Sequence, residues 1–244
     1  MIETKGLERI FRLPEGEVRA VDGLTFAIRD GEFVAIMGPS GSGKSTLLYV
    51  LGAMDQPTGG WISIADQRLD TMDDPARSAF RNATLGFVFQ SFHLLPRLSL
   101  TRNVELPMLY AQTAPAVRAR RVGALLQAVG LADRGDRYPT ELSGGQCQRA
   151  AIVRALANTP RMLLADEPTG NLDSRTGLEV MAIFQALNRN GMTIIMVTHD
   201  DAMARHTSRI IRMRDGKIIA DEPVAKPLVA PLPDGLDLKG LIAS

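Results

Sequence analysis

The chain has one cysteine, Cys147, in 244 residues. An intrachain disulfide is therefore excluded, which fits a reducing compartment. The formal net charge is only +1, so there is no global electrostatic case for nucleic acid as a partner. No apolar run reaches the 18 residues or so that would cross a bilayer. The first residues, Met1-Ile2-Glu3-Thr4-Lys5-Gly6, lack the apolar core of a signal peptide. No segment repeats, so a single unit is expected, with the cytosol as its default location.

The most informative stretch present is Gly38-Pro39-Ser40-Gly41-Ser42-Gly43-Lys44-Ser45-Thr46. It follows the apolar run Phe33 to Met37 and precedes Leu47 to Leu51. Strand, glycine loop, helix is the context a phosphate-binding loop requires. The glycines let backbone N–H groups converge on phosphate oxygens, and the helix start adds partial positive charge. Lys44 is expected to reach the β- and γ-phosphates, and the Ser45 hydroxyl to ligate Mg²⁺.

Around this loop the chain reads as α/β. The first part is β-rich, with Asp22-Gly23 and Asp30-Gly31 as turn signals. Trp61 to Ile64 and Leu85 to Phe89 are further strand candidates. From about 91 to 160 strand-like runs give way to helical segments, so a helical insertion is expected. Met162 to Ala165 and Thr193 to Val197 then resume the pattern of a parallel sheet buried on both faces. Asp215-Gly216, between two apolar runs, signals a hairpin. The tail 222–244 carries four of the 14 prolines and is expected to be extended or flexible, with a short helix near its end, and dispensable for hydrolysis.

Two more motifs carry chemistry. The strand ending in Asp166-Glu167 places one carboxylate toward Mg²⁺ and the next toward an attacking water. A buried strand also commonly ends in an acid that caps the following turn, but the loop at Gly38 favours the metal role. In Leu142-Ser143-Gly144-Gly145-Gln146, Ser143 and Gln146 form a helix-starting capping box. Two consecutive glycines there cost about 1 kcal/mol each relative to alanine, which makes sense if an anion approaches the backbone. Two chains facing head to tail would then share two nucleotides. His199 follows an apolar strand, beside a threonine and two acids, and could otherwise merely cap the sheet edge. The run Arg118-Ala119-Arg120-Arg121 reads as a solvated helix face.

The ordered set Gly38–Thr46, Gln90, Leu142–Gln146, Met162–Glu167, Asn171-Leu172-Asp173 and His199 resembles the ATP-binding subunits of ABC transporters over about residues 2–221. The resemblance implies a phosphate-loop fold of the ABC type. Its parts are a RecA-like parallel-sheet core, an N-terminal antiparallel β subdomain and an inserted helical subdomain. It implies Glu167 as the base, Gln90 as a lid-loop residue touching Mg²⁺ and water, and His199 as a switch contacting the γ-phosphate. Ser45, Gln90 and Asp166 would serve the metal. Ser143, Gly144, Gly145, Gln146 and Asp173 would act across an ATP-bound homodimer. Phe11 sits where the family places an adenine-stacking aromatic, and Cys147 stands where glutamine is common.

Phe89 to Pro96 and Asp166 to Asp173 resemble one subgroup in particular. It holds the ATPases of lipoprotein-release and macrolide-export systems and a cell-division ATPase that controls wall hydrolases. That implies a peripheral protein on the cytoplasmic face of the plasma membrane. Its partner would be a permease-like subunit with few spans and a large extracytoplasmic domain. The groove receiving that partner's helix is expected within Ser91 to Leu106, through Phe92, Leu94 and Leu95. The leading expectation is powered export or extraction. The alternative is an ATPase that regulates an extracytoplasmic enzyme without moving solute. A soluble repair or translation ATPase is disfavoured, since neither a long coiled coil nor a second cassette is present.

Overall fold

The structure is a computed structural model that describes residues 1–14, 16–232, 236, 238 and 241. Its core is a six-stranded sheet built on β3 (Phe33–Met37), β6 (Leu85–Phe89), β7 (Met162–Asp166), β8 (Thr193–Val197), β9 (Arg209–Arg214) and β10 (Lys217–Pro223). The order is β10-β9-β3-β8-β7-β6. Only β10 runs antiparallel to its neighbour. Every residue of β3 and β8 is buried, because both faces are covered. Phe33, Ala35 and Met37 point into one apolar cluster, and Val34 and Ile36 into the other. That two-residue alternation is the pleat of a strand with two apolar sides.

A second, antiparallel sheet has the order β2-β1-β4-β5, from β1 (Ile2–Leu13), β2 (Gly16–Ile28), β4 (Gly59–Ile64) and β5 (Gln67–Arg68). Asp22-Gly23 does not end a strand. Gly23, at φ 69°, lies in a stretch of irregular pairing that lets β2 continue to Ile28. Between the sheets lies α1 (Lys44–Leu51), whose Leu47, Leu48, Val50 and Leu51 are buried. The helix α2 (Asp74–Thr84) was not legible as such. Asp73 caps it by accepting from Ala76 N–H at 2.9 Å, but only Phe80 is buried along it, so the apolar pattern is faint.

Between β6 and β7 come α3 (Leu100–Tyr110), α4 (Pro115–Ala128) and α5 (Gly144–Ala155). The basic run on α4 is not a free face. Arg118 pairs with Glu105 at 2.7 Å, and Arg121 donates to the Leu156 carbonyl at 3.3 Å. After β7 follow α6 (Ser174–Arg189) and α7 (Asp201–Ala204). The β9–β10 turn has Asp215 at φ 48° and Gly216 at φ 76°, the paired positive angles of a two-residue hairpin. The tail expected from residue 222 begins inside β10, and residues 224–230 are held against α6 and the end of α7. The short helix expected near the end falls on residues outside those described.

Candidate active site

The phosphate loop is fixed from two sides. Gly43, at φ 96°, lies so close to β2 that a side chain there would meet the Ala20 carbonyl. Gly216 N–H donates to the Ser42 carbonyl at 3.1 Å, and Asp22 N–H to the Gly216 carbonyl at 3.0 Å. The β9–β10 hairpin therefore pins the loop to β2. Lys44, largely buried, folds over the loop, its Nζ donating to the carbonyls of Gly38 at 2.8 Å and Pro39 at 2.9 Å. The backbone N–H groups at the start of α1, with the Lys44 ammonium beside them, form an anion cradle.

A cleft of about 830 Å³ opens over this cradle, within the range of small-molecule sites. It gathers Ser40, Gly41, Gly43, Lys44, Ser45 and Thr46 with Gln90, Glu167 and His199. Four distant parts of the chain thus converge on one space. Gly38, Pro39 and Ser42 shape the loop from behind. Asp166 lies below the rim, accepting from Ser45 Oγ and Tyr49 Oη, each at 3.3 Å. Burial pushes the Asp166 carboxyl above its ordinary value, against the effect of those two hydrogen bonds. The Tyr49 contact was missed from sequence, because an apolar helix position gave no sign of it.

Glu167 stands just past the end of β7 at φ 48°, with its N–H bonded to the Val197 carbonyl at 2.9 Å. This left-handed turn throws its carboxylate into the cleft, where His199 Nδ1 lies 2.8 Å from Oε1. Strain of this kind is commonly stored at reacting groups. Val18, Arg19, Ala20, Asp215 and Gly216 also line the cleft. Asp215-Gly216 was legible as a turn, not as part of a site. Phe11 does not line the cleft. It pairs across the sheet with Val18, which does, and carries the Arg9 guanidinium 4.5 Å from its ring centre.

Ser143, Gly144, Gly145, Gln146 and Asp173 lie outside this cleft. Ser143 and Gln146 form the expected capping box at the start of α5. Gly145 has a packing reason of its own: a Cβ there would come within 2.6 Å of Thr176 Cγ2. Gly144 has no such clash: a Cβ there would make only ordinary contacts with Leu172 and Phe92. Asp173 caps α6, accepting from Thr176 N–H at 3.0 Å and Thr176 Oγ1 at 2.7 Å. Those bonds hold its carboxyl below its ordinary value. Buried Gln148 on α5 donates to the Pro168 carbonyl at 2.6 Å, which ties the start of α5 to the segment after Glu167.

Beside the stretch Ser91 to Leu106 lies a second hollow. An apolar basin beside β6 is lined by Phe87, Phe89, His93, Pro107 and Tyr110. Of the expected stretch only His93 lines it. Phe92 and His93 both have positive φ, and Arg154 holds both of their carbonyls. The reversal turns the Phe92 ring toward Gly144 and leaves His93 against Phe89, with ring centres 4.6 Å apart. Leu94 packs on the core.

A RecA-like parallel sheet with this loop, a strand-end acid pair and an antiparallel β subdomain defines a phosphate-loop ATPase. The ABC transporter family model matches residues 21–170, and the chain belongs to that family. An uncharacterized ABC transporter ATP-binding protein of Methanocaldococcus jannaschii is 48% identical over 219 residues, spanning 90% of this chain and 98% of the relative. The macrolide export ATP-binding/permease protein MacB of Rhodopseudomonas palustris is 49% identical over 220 residues. The match takes in 90% of this chain but only 34% of that longer protein. A dimeric, post-hydrolysis structure of the ATP-binding cassette MJ0796 bound to ADP and Pi superposes with a TM-score of 0.86. It is 39% identical and covers 93% of this chain and all of that one. The chain is an ATP-binding, ATP-hydrolysing subunit of an ABC transporter. None of the described helices is long and apolar enough to cross a membrane.

Proposed function

We propose that this subunit powers export or extraction of a substrate through a separate membrane subunit, from the cytoplasmic face of the plasma membrane. The observation that carries the chemistry is the convergence of Lys44, Gln90, Glu167 and His199 on one cleft. Lys44 and the loop N–H groups hold the phosphates. Glu167 takes the proton of the attacking water, and His199, 2.8 Å from it, orients that carboxylate and the γ-phosphate. The oxygen donors of Ser45 and Asp166, 3.3 Å apart, suit a hard cation such as Mg²⁺, with Gln90 on its open side. When bound, Mg²⁺ would neutralise charge between the β- and γ-phosphates. Ser143 and Gly144 with Asp173 then serve the partner protomer's nucleotide in a head-to-tail dimer.

Export is supported by the likeness to MacB, where a cassette like this one is joined to a permease. The basin of Phe87, Phe89, His93 and Tyr110 fits an amphipathic helix of the membrane subunit. The test is purification of the Glu167→Gln protein with ATP from its native membrane in mild detergent. Recovery of a permease-like subunit with few spans and a large outer domain is expected. Recovery of soluble proteins alone would overturn the reading.

A further inference from the structure

The segment after β10 makes an organised set of contacts that the nucleotide site does not use directly. Gln185, on α6 and buried, is their centre. Its Nε2 donates to the Leu228 carbonyl at 2.6 Å and to the His206 carbonyl at 2.9 Å. Its Oε1 accepts from Ala230 N–H at 2.9 Å. One amide thus bonds a helix, a loop and the tail together. His206, also buried, points Nδ1 at the Leu228 carbonyl at 3.0 Å. Because a carbonyl can only accept, Nδ1 carries the proton. Leu228 N–H closes the set by donating to the Arg205 carbonyl at 2.9 Å.

The loop so fastened is the continuation of the switch histidine. His199 is followed by Asp200, whose side chain caps α7 by accepting from Ala202 N–H at 2.7 Å. α7 has a single turn and ends at Ala204, with Arg205 as its cap and His206 following. A helix that short is not stable by itself, so its position depends on what it is bonded to. Its C-terminal end is bonded to the tail through Arg205 and His206. Ala230 is buried in the main apolar cluster, which anchors the segment beyond its last hydrogen bond.

We propose that residues 224–230 are a strap that positions the His199 loop for hydrolysis, with Gln185 as the residue that fastens it. The proposal rests on the reading of His199 as a group acting at the γ-phosphate. It replaces the expectation that the tail is dispensable. Gln185 and His206 are positioning residues, since neither lines the cleft.

The test compares Gln185→Leu, Leu228→Pro and His199→Ala with the unaltered full chain. Leu228→Pro removes the N–H donor to Arg205 and fixes the local φ, and the side chain it replaces is half exposed, so it covers the case in which Gln185→Leu fails to fold. The expected result for either strap variant is a kcat lowered about tenfold with an ATP KM changed by less than about twofold. Amide hydrogen exchange should rise across 199–207 and stay unchanged across 38–46. A merely structural strap would lower the melting temperature and leave that split absent, and normal kcat with unchanged exchange at 199–207 would likewise overturn the proposal. Normal kcat in His199→Ala would overturn the reading of His199 itself, and with it any route from the strap to turnover.

Discussion

Gln90 and Asn171 hold each other by two hydrogen bonds. Gln90 Nε2 donates to Asn171 Oδ1 at 3.2 Å, and Asn171 Nδ2 donates to the Gln90 carbonyl at 3.1 Å. Gln90, just past the end of β6, is thereby tied to the segment that leads into Asp173. A residue of the chain's own cleft is thus bonded to the segment proposed to serve the partner protomer's nucleotide.

Breaking that tie should cost turnover more than binding. In Asn171→Ala, which removes both bonds, kcat is expected to fall about fivefold, the scale of two weak exposed hydrogen bonds. Affinity for a non-hydrolysable ATP analogue should stay within about twofold. Steady-state kinetics and an analogue titration check both numbers, and a loss confined to affinity would contradict the tie.

Replacing the proposed base separates binding from chemistry. Glu167→Gln should bind ATP and elute as a dimer on size exclusion with ATP, while its turnover falls by roughly 10²–10⁴. Ordinary turnover would remove Glu167 from its role.

Asp166 gives a stability effect opposite in sign to its functional one. Its folded value lies above its ordinary one because it is buried, so its contribution is fully present at low pH and is lost as pH rises through the folded value. At neutral pH the buried charge is a liability in the nucleotide-free protein. Asp166→Asn should therefore melt higher than the unaltered chain at pH 7 without nucleotide or Mg²⁺. The gap should close on acidification, while turnover is lost. Scanning fluorimetry between pH 4 and about pH 8 reads the sign directly.

Gly145 and Thr176 form a steric pair. Gly145→Ala would push against Thr176 Cγ2, and turning that side chain away would break the bond from Thr176 Oγ1 to Asp173. A loss of about 1–3 kcal/mol is expected in denaturant unfolding. Adding Thr176→Ser, which removes the methyl and keeps the hydroxyl, should restore most of it.

The sequence made local features legible and left the assembled ones hidden. The loop at 38–46 announces itself because its glycines, lysine and flanking apolar runs are contiguous. Asp166-Glu167 and the capping box of Ser143 are read in the same way. The role of Val18 to Ala20 in lining the cleft was not legible, because it depends on the β9–β10 hairpin and β2 meeting the loop from opposite ends of the chain. The turn at Phe92-His93 was not legible because nothing in that dipeptide announces two positive φ angles, and the Arg154 that secures them is 61 residues beyond His93. The tail looked featureless since its polar partners are a buried glutamine, a buried histidine and backbone atoms, which leave no periodic pattern.

The sheet order carries a consequence for how the molecule is made. β3, which leads into the phosphate loop, lies between β8 and β9, and the loop itself is bonded through Ser42 to Gly216. During synthesis, a chain that has emerged only as far as β8 holds every residue of the Lys44 cradle and both acids. It still lacks one flank of β3 and the hairpin that pins the cradle. Competence to grip a nucleotide is therefore expected only once the segment to Pro223 has emerged and closed the last edge of the floor.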